Sequence, residues 1–378
     1  MKKHTLQLLN LLILLCVYID NMNADEPLYR KPKQIDAPIP NFAYDENDTL
    51  RYTNHYLFDK AYYVIKNMLE DRQPIDFAEA SFAVENCFYD GALNHAAYQS
   101  ELHRIANGVT NMASSPMIQA PTMDVALNYA IYLFYTQPCD LNYYHPYQYG
   151  IELLIEDRIL EGGMVHHLLT TGHGTCHSLP YLYKIIADKV GARAYLAMAP
   201  MHTYIRHQDA WGRWWNFETT VGTYSRSSFI MDNFHISEEV IRSGLYMTNL
   251  TDKESIVLLL CDLLYIYQYK TGFYSNSFIR QCYTLGLKYH YASNLHAWQI
   301  NDLKYQLDKE AWNRGFRTEG AIREDSVLRK KYDHIQFLRT EFESLGYHEF
   351  TTEEYLQKYQ ETIDYMSRHK IPLSNKGK

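Results

Sequence analysis

The sequence predicts an α+β fold in which a short helix, strand and hairpin lie between two helical regions. Apolar side chains recur at helical spacing over residues 57–135 and again over 254–368. Between them, residues 150–222 contain short apolar runs separated by glycine and proline, which is typical of strands and turns. The chain has 378 residues, 47% hydrophobic and 21% charged, which is long enough for two or three folded domains.

Residues 1–24 are predicted to be an export signal. Lys2 and Lys3 precede an apolar run over residues 6–19, and residues 22–24 offer a cleavage point before Asp25. The run is too short to span a bilayer comfortably, and no later segment looks transmembrane. A lipid anchor at Cys16 is a weaker alternative, because Leu15 is larger than the residue such sites prefer. We therefore expect an exported protein, periplasmic or extracellular.

The N-terminal part is predicted to contain an extended lead-in and then a helical region. Residues 25–48 carry four prolines among charges, which favours extended chain. Residues 49–140 form the helical region, with apolar residues four apart from Leu57 to Leu69. Further helices are predicted over 77–87, 92–105 and 123–135, the last ending before Pro138.

Residues 141–250 are predicted to form the α+β core. A helix over 181–190 ends at Gly191, a natural C-terminal cap. The apolar run 194–199, closed by Pro200, predicts a buried strand. Two further strands, 202–207 and 213–219, flank a polar loop that ends in Gly212, which indicates a hairpin.

Residues 251–378 are predicted to form a helical C-terminal domain. Thr251 with Glu254, and Thr351 with Glu354, are capping-box pairs that mark helix starts. The predicted helices cover 254–270, 276–289, 294–314, 326–344 and 352–368. Short loops between them favour antiparallel pairs similar to tetratricopeptide packing. Since no clean repeat is visible, a helical domain that supports the core is the alternative.

Composition limits the partners. The formal charge of −8 provides no basic field, so nucleic acid is a poor candidate partner. The 35 tyrosines either lie half-buried between helices or form a surface for sugars, peptides or proteins. Five cysteines follow the predicted signal, and an odd number in an exported protein leaves at least one thiol free.

Cys176 is the strongest candidate for chemistry. It lies in a glycine-flanked turn that leads into a helix. Unpaired N–H groups at a helix start stabilise a thiolate and can also hold the oxyanion of an acyl intermediate. Gly172 and Gly174 are expected to let a substrate backbone approach closely.

The predicted hairpin supplies partners for this thiol. If its turn centres on Ala210, His202 lies directly opposite Glu218 on one face of the two strands. A carboxylate bonded to one ring nitrogen would leave the other nitrogen for the thiol. The pairing depends on the register, because a one-residue slip would place the two side chains on different faces.

These residues resemble the transglutaminase-like superfamily of papain-type folds over roughly residues 147–222. The resemblance rests on residues 174–179, Gly191, His202 and residues 215–220, and bacterial exported members are the most similar, with Glu156–Asp157 and the run 168–172 before the cysteine. It implies a papain-type core with Cys176 as nucleophile, His202 as base and Glu218 as the acid that orients the histidine. It also implies a peptide or protein substrate, cell-envelope material among the candidates, and no organic cofactor.

The match is not complete. Glu218 replaces the usual aspartate, and Thr203 and Tyr204 follow the histidine where alanine and tryptophan are common. The side chain that would help to hold the oxyanion is not identified, and residues 147, 148 and 149 are the candidates. The expected activity is thiol-dependent acyl transfer, or hydrolysis of an amide or peptide bond.

Other functions fit parts of the same sequence. A catalytically inert module that binds a peptide, a glycan or a partner protein is the main alternative. Zinc binding is less favoured, since the five nearby His and Cys residues match no standard metal spacing: His166, His167, His173, Cys176 and His177. Three tryptophans near the hairpin either line a substrate groove or divide between core and sheet edge: Trp211, Trp214 and Trp215.

Overall fold

The computed structural model describes residues 55–156 and 158–347. The predicted export signal, the lead-in and the helix 352–368 lie outside these residues, as does Asp157. The described residues divide into two compact units, 55–266 and 267–347. The mixture of helices with two small sheets confirms an α+β fold. Among the described helices, none has the length and apolar character needed to cross a membrane.

Four helices open the first unit, as predicted: α1 (His55–Leu69), α2 (Phe77–Phe88), α3 (His95–Ala113) and α4 (Met123–Thr136). Helix α3 starts later than expected because the Asn94 side chain caps it, accepting the N–H of Ala97. Its buried stripe continues through Val109 to Ala113, which explains why the helix runs past the predicted end.

Several short elements that the sequence did not predict lead to Cys176. They are a 3₁₀ turn (Asp140–Asn142), β1 (Gln148–Tyr149), α5 (Ile151–Ile155), α6 (Ile159–Gly162), α7 (Val165–Thr171) and β2 (His173–Gly174). Strands β1 and β2 are parallel, with Gln148 paired to His173. Each of these elements is too short to show a hydrophobic period, so only long-range contacts define them.

The core sheet follows α8 (Ser178–Val190), which ends at Gly191 with a positive φ of 74° as predicted. Its antiparallel strands are β3 (Tyr195–Ala199), β4 (His202–Gln208), β5 (Trp214–Glu218) and β6 (Thr223–Ser225), in that spatial order. Two short helices come next, α9 (Ser227–Phe234) and α10 (Glu238–Ser243).

Aromatic side chains fill the space between α8 and the sheet. Phe217 on β5 is fully buried, and its ring lies 5.6 Å from that of Tyr183 and 5.5 Å from that of Tyr132. Tyr135 and Tyr204 are also buried. Many of the tyrosines are therefore core residues, which anchors the strands that carry the candidate site.

The hairpin register differs from the prediction. Ile205 pairs with Phe217, so the turn centres on Trp211 rather than Ala210. The Asp209 carboxylate decides this, since it accepts the N–H groups of both Trp211 and Arg213. The predicted pairing is displaced by two residues, so each side chain still lies on the predicted face of the sheet. Glu218 therefore lies diagonally across from His202 rather than directly opposite it.

Helix α11 (Asp252–Thr271) contains the division between the two units. In the second unit, α12 (Ser277–Tyr289) packs against α13 (Leu295–Asn313), and α13 packs against α15 (Ser326–Ser344), with the short α14 (Glu319–Glu324) before it. Four of the five helices predicted for this part of the chain are thus confirmed, and the fifth lies outside the described residues.

Candidate active site

A buried serine shapes the turn that presents Cys176. The Ser178 hydroxyl accepts the N–H of Thr175 at 3.1 Å and donates to the carbonyl of Gly162 at 2.6 Å. Gly174 is packed against it, because a Cβ there would lie 2.4 Å from the Ser178 oxygen. Close packing against α8 therefore requires a glycine at position 174, and the approach of a substrate backbone there stays a prediction.

We expect Ser178→Ala to lower the free energy of unfolding by about 2–3 kcal/mol. The change leaves a buried N–H on Thr175 and a buried carbonyl on Gly162 without their partner. Urea unfolding followed by circular dichroism measures the loss. Ser114→Ala is the matched control, because that hydroxyl is exposed. An equal effect of the two changes would contradict the role given to Ser178.

His202 and Glu218 are joined by a short hydrogen bond. The distance from His202 Nε2 to Glu218 Oε2 is 2.6 Å, and both side chains are nearly buried. The rings of Phe234 and Tyr204 stack on the imidazole, at 5.6 Å and 6.1 Å between centroids. The carboxylate and the two rings together hold the orientation of His202, with Nδ1 left for another partner.

Cys176 is the group that this imidazole acts on. His202 and the backbone of Thr203 lie close enough to the sulfur to change its pKa. Burial alone would raise the pKa of Cys176, but the bond to His202 and its positive charge outweigh burial and lower it. Burial likewise acts to lower the pKa of His202, but the Glu218 charge and the Cys176 bond raise it to about 10. The structure favours a thiolate beside an imidazolium.

The sulfur of Cys176 is partly exposed, and among the described residues one backbone donor beside it is unpaired. Cys176 is half-buried, and its Sγ lies 3.8 Å from the Met201 carbonyl. Its own N–H, at the start of α8, has no hydrogen-bond partner within the part of the chain described. This N–H can therefore donate to an oxyanion. Of the three residues considered for a second donor, Tyr147 packs its ring edge-on against Phe134, and the choice among the three stays a prediction.

The other histidines near Cys176 each have their own carboxylate or aromatic neighbour. His173 Nδ1 lies 2.6 Å from Glu152, and His177 Nε2 lies 2.8 Å from Asp262. His167 lies 3.4 Å from Glu161, and the ring of His166 contacts Tyr89. Across residues 55–156 and 158–347, no three His, Cys, Asp or Glu side chains are grouped as metal ligands.

Asp262 is a residue of this site that the sequence analysis missed. It lies far along the chain, on α11, where no motif spacing connects it to Cys176. One signal was available: it is a single acid within the apolar run 256–266. A charged residue inside such a run is usually paired.

The three tryptophans lie at the hairpin tip rather than at the thiol. Trp211 is 78% exposed with the Arg213 guanidinium 4.9 Å from its ring, while Trp215 is half-buried and donates to Asp209. His202 starts β4 and the tip follows its other end, about 20 Å away for a strand of this length. A groove that runs from the thiol to Trp211 would have to follow the whole strand.

The five cysteines within the described residues form no disulfide with one another. Cys87, Cys261 and Cys282 are buried, whereas Cys139 and Cys176 are half-buried. Within the described residues, Cys176 is the thiol whose pKa is lowered by an imidazole that is itself bonded to a carboxylate. No protein-family model, curated protein or solved structure matches this chain.

Proposed function

We propose that this protein catalyses thiol-dependent acyl transfer, or hydrolysis of an amide or peptide bond, through Cys176, His202 and Glu218. The observation that carries the proposal is the 2.6 Å hydrogen bond between Glu218 and His202, whose imidazole in turn lowers the pKa of the Cys176 thiol. The order of helix, strand and hairpin supports a papain-type core of the transglutaminase-like kind. The predicted export signal would place the reaction on peptide or protein material of the cell envelope.

In the first half of the reaction, the Cys176 thiolate attacks an amide carbonyl and forms a C–S bond. The Cys176 N–H donates to the oxygen that becomes negative. The C–N bond then breaks as His202 gives its proton to the departing amine, and a thioester remains on Cys176. The Glu218 hydrogen bond keeps the imidazole oriented throughout.

In the second half, neutral His202 takes a proton from the incoming acceptor. The acceptor attacks the thioester, the C–S bond breaks, and the thiolate returns beside the imidazolium. With water as acceptor the protein is a peptidase or amidase; with an amine it is a crosslinking enzyme. Both outcomes use the same three side chains and need no organic cofactor.

The first test is the rate of alkylation of each cysteine by iodoacetamide from pH 5.5 to 9, followed by peptide mass. Cys139 is an internal control, since it is also half-buried but has no imidazole assigned to it. We expect Cys176 to react at least tenfold faster than Cys139 at pH 6, and we expect His202→Ala to remove the difference. If Cys176 reacts no faster than Cys139, the proposal fails and the inert binding module replaces it.

A further inference from the structure

A second histidine–carboxylate pair lies directly beside the nucleophile. His177 Nε2 is 2.8 Å from Asp262 Oδ1, and the Tyr181 hydroxyl donates to the other oxygen of Asp262 at 3.1 Å. The His177 ring rests on Tyr181, with 4.3 Å between ring centroids. The arrangement repeats that of His202, whose Nε2 also bonds a carboxylate.

Within the part of the chain described, the one positively charged partner of Asp262 is His177. Its side chain is 15% exposed and comes from an apolar stretch of α11. Both of its oxygens turn to the start of α8, one to His177 and one to Tyr181. Among the described residues, no lysine or arginine forms an ion pair with it. A nearly buried carboxylate of this kind stabilises a protonated imidazole.

We propose that the His177–Asp262 pair is a positioning element that holds a positive charge beside the Cys176 sulfur, in addition to the charge of His202. The inference rests on the proposed function and deepens it. The base is assigned to His202 rather than His177, because His202 lowers the pKa of the Cys176 thiol more strongly than His177 does. Its charge acts when His202 has given its proton to the departing amine and is neutral. The sulfur is then stabilised as a leaving group for the second half of the reaction.

The charges around His177 agree with this role. Burial acts to lower the pKa of His177, but Asp262 outweighs burial and raises it, and His177 in turn lowers the pKa of Cys176. The titratable groups that act on His177 are Asp262 from α11, Glu85 from α2 and Cys176, and Tyr181 lies against its ring. His202 is the other imidazole that acts on Cys176.

Asp262→Asn tests the pair, because it removes the charge and keeps the shape. We expect the midpoint of the pH profile of Cys176 alkylation to move up by about 0.5–1 pH unit. His177→Gln, at a side chain that is 36% exposed, is expected to give the same shift. Glu79→Gln is the matched control, since it neutralises the carboxylate of an exposed pair, that with His95, and its midpoint is expected to stay within about 0.2 unit.

The double variant His177→Gln/Asp262→Asn is expected to shift no further than either single change, because the two residues act as one unit. A purely structural role would lower Tm and leave every midpoint in place, and that result would overturn the inference. If wild-type Cys176 itself is no more reactive than Cys139, the proposed function falls as well. If wild-type Cys176 is reactive but the Asp262→Asn midpoint does not move, this inference fails while the proposed function stands.

Discussion

Glu218→Ala is expected to slow the alkylation of Cys176 at pH 6 by about 10- to 100-fold. Glu218 raises the pKa of His202, which burial alone would lower, so without the carboxylate a smaller fraction of the imidazole is protonated at pH 6. Cys176 then loses the charge that keeps it a thiolate, and its pKa returns toward that of an ordinary thiol, about 8.5. The rate of Cys139 in the same sample is the control.

Two further variants at this position separate charge from geometry. Glu218→Gln keeps the length and removes the charge, so we expect it to resemble Glu218→Ala. Glu218→Asp keeps the charge but is one methylene shorter, and the two residues are diagonal across the strands, where Cβ atoms are about 7 Å apart. We expect an intermediate rate. A Glu218→Ala variant as reactive as wild type would show that His202 does not need the acid.

Glu85→Ala is expected to lower the free energy of unfolding by about 3–5 kcal/mol, the largest stability loss that we predict. Glu85 on α2 is buried, and its carboxylate accepts the N–H groups of Val165 and His166 at 2.8 Å each, and the Ser81 hydroxyl. Its removal leaves the start of α7 unpaired, and α7 leads into β2 and Cys176. Glu79→Ala, on the exposed side of the same helix, is the control and should cost less than about 1 kcal/mol.

The same residue should make stability depend on pH. Burial raises the pKa of Glu85 to about 7, above its unfolded value of 4.5. The folded state therefore binds more protons between pH 4.5 and 7, and stability falls as pH rises through that window, by about 3 kcal/mol in total. Urea unfolding of wild type and Glu85→Gln at pH 5 and 8 measures this. A difference between the two proteins that is the same at both pH values would contradict the assignment.

The sequence alone was sufficient to predict the long elements and to select the residues of the proposed site. Helices such as α1 and α12 show an apolar stripe over three or more turns, and caps such as Asn276 and Gly191 mark their ends. These signals are local, so they survive without knowledge of the fold. Because side chains alternate along a strand, the predicted hairpin was likewise sufficient to place His202 and Glu218 on one face of the sheet.

Only the tertiary structure decided how these residues meet. The Asp209 carboxylate fixes the turn at Trp211 rather than Ala210. The Glu218 side chain is long enough to reach His202 diagonally across the two strands. Glu85 and Asp262 reach the site from α2 and α11, through contacts between segments far apart in the chain. Such contacts leave no period or motif in the sequence, because their energy comes from pairing buried polar groups that only the folded chain brings together.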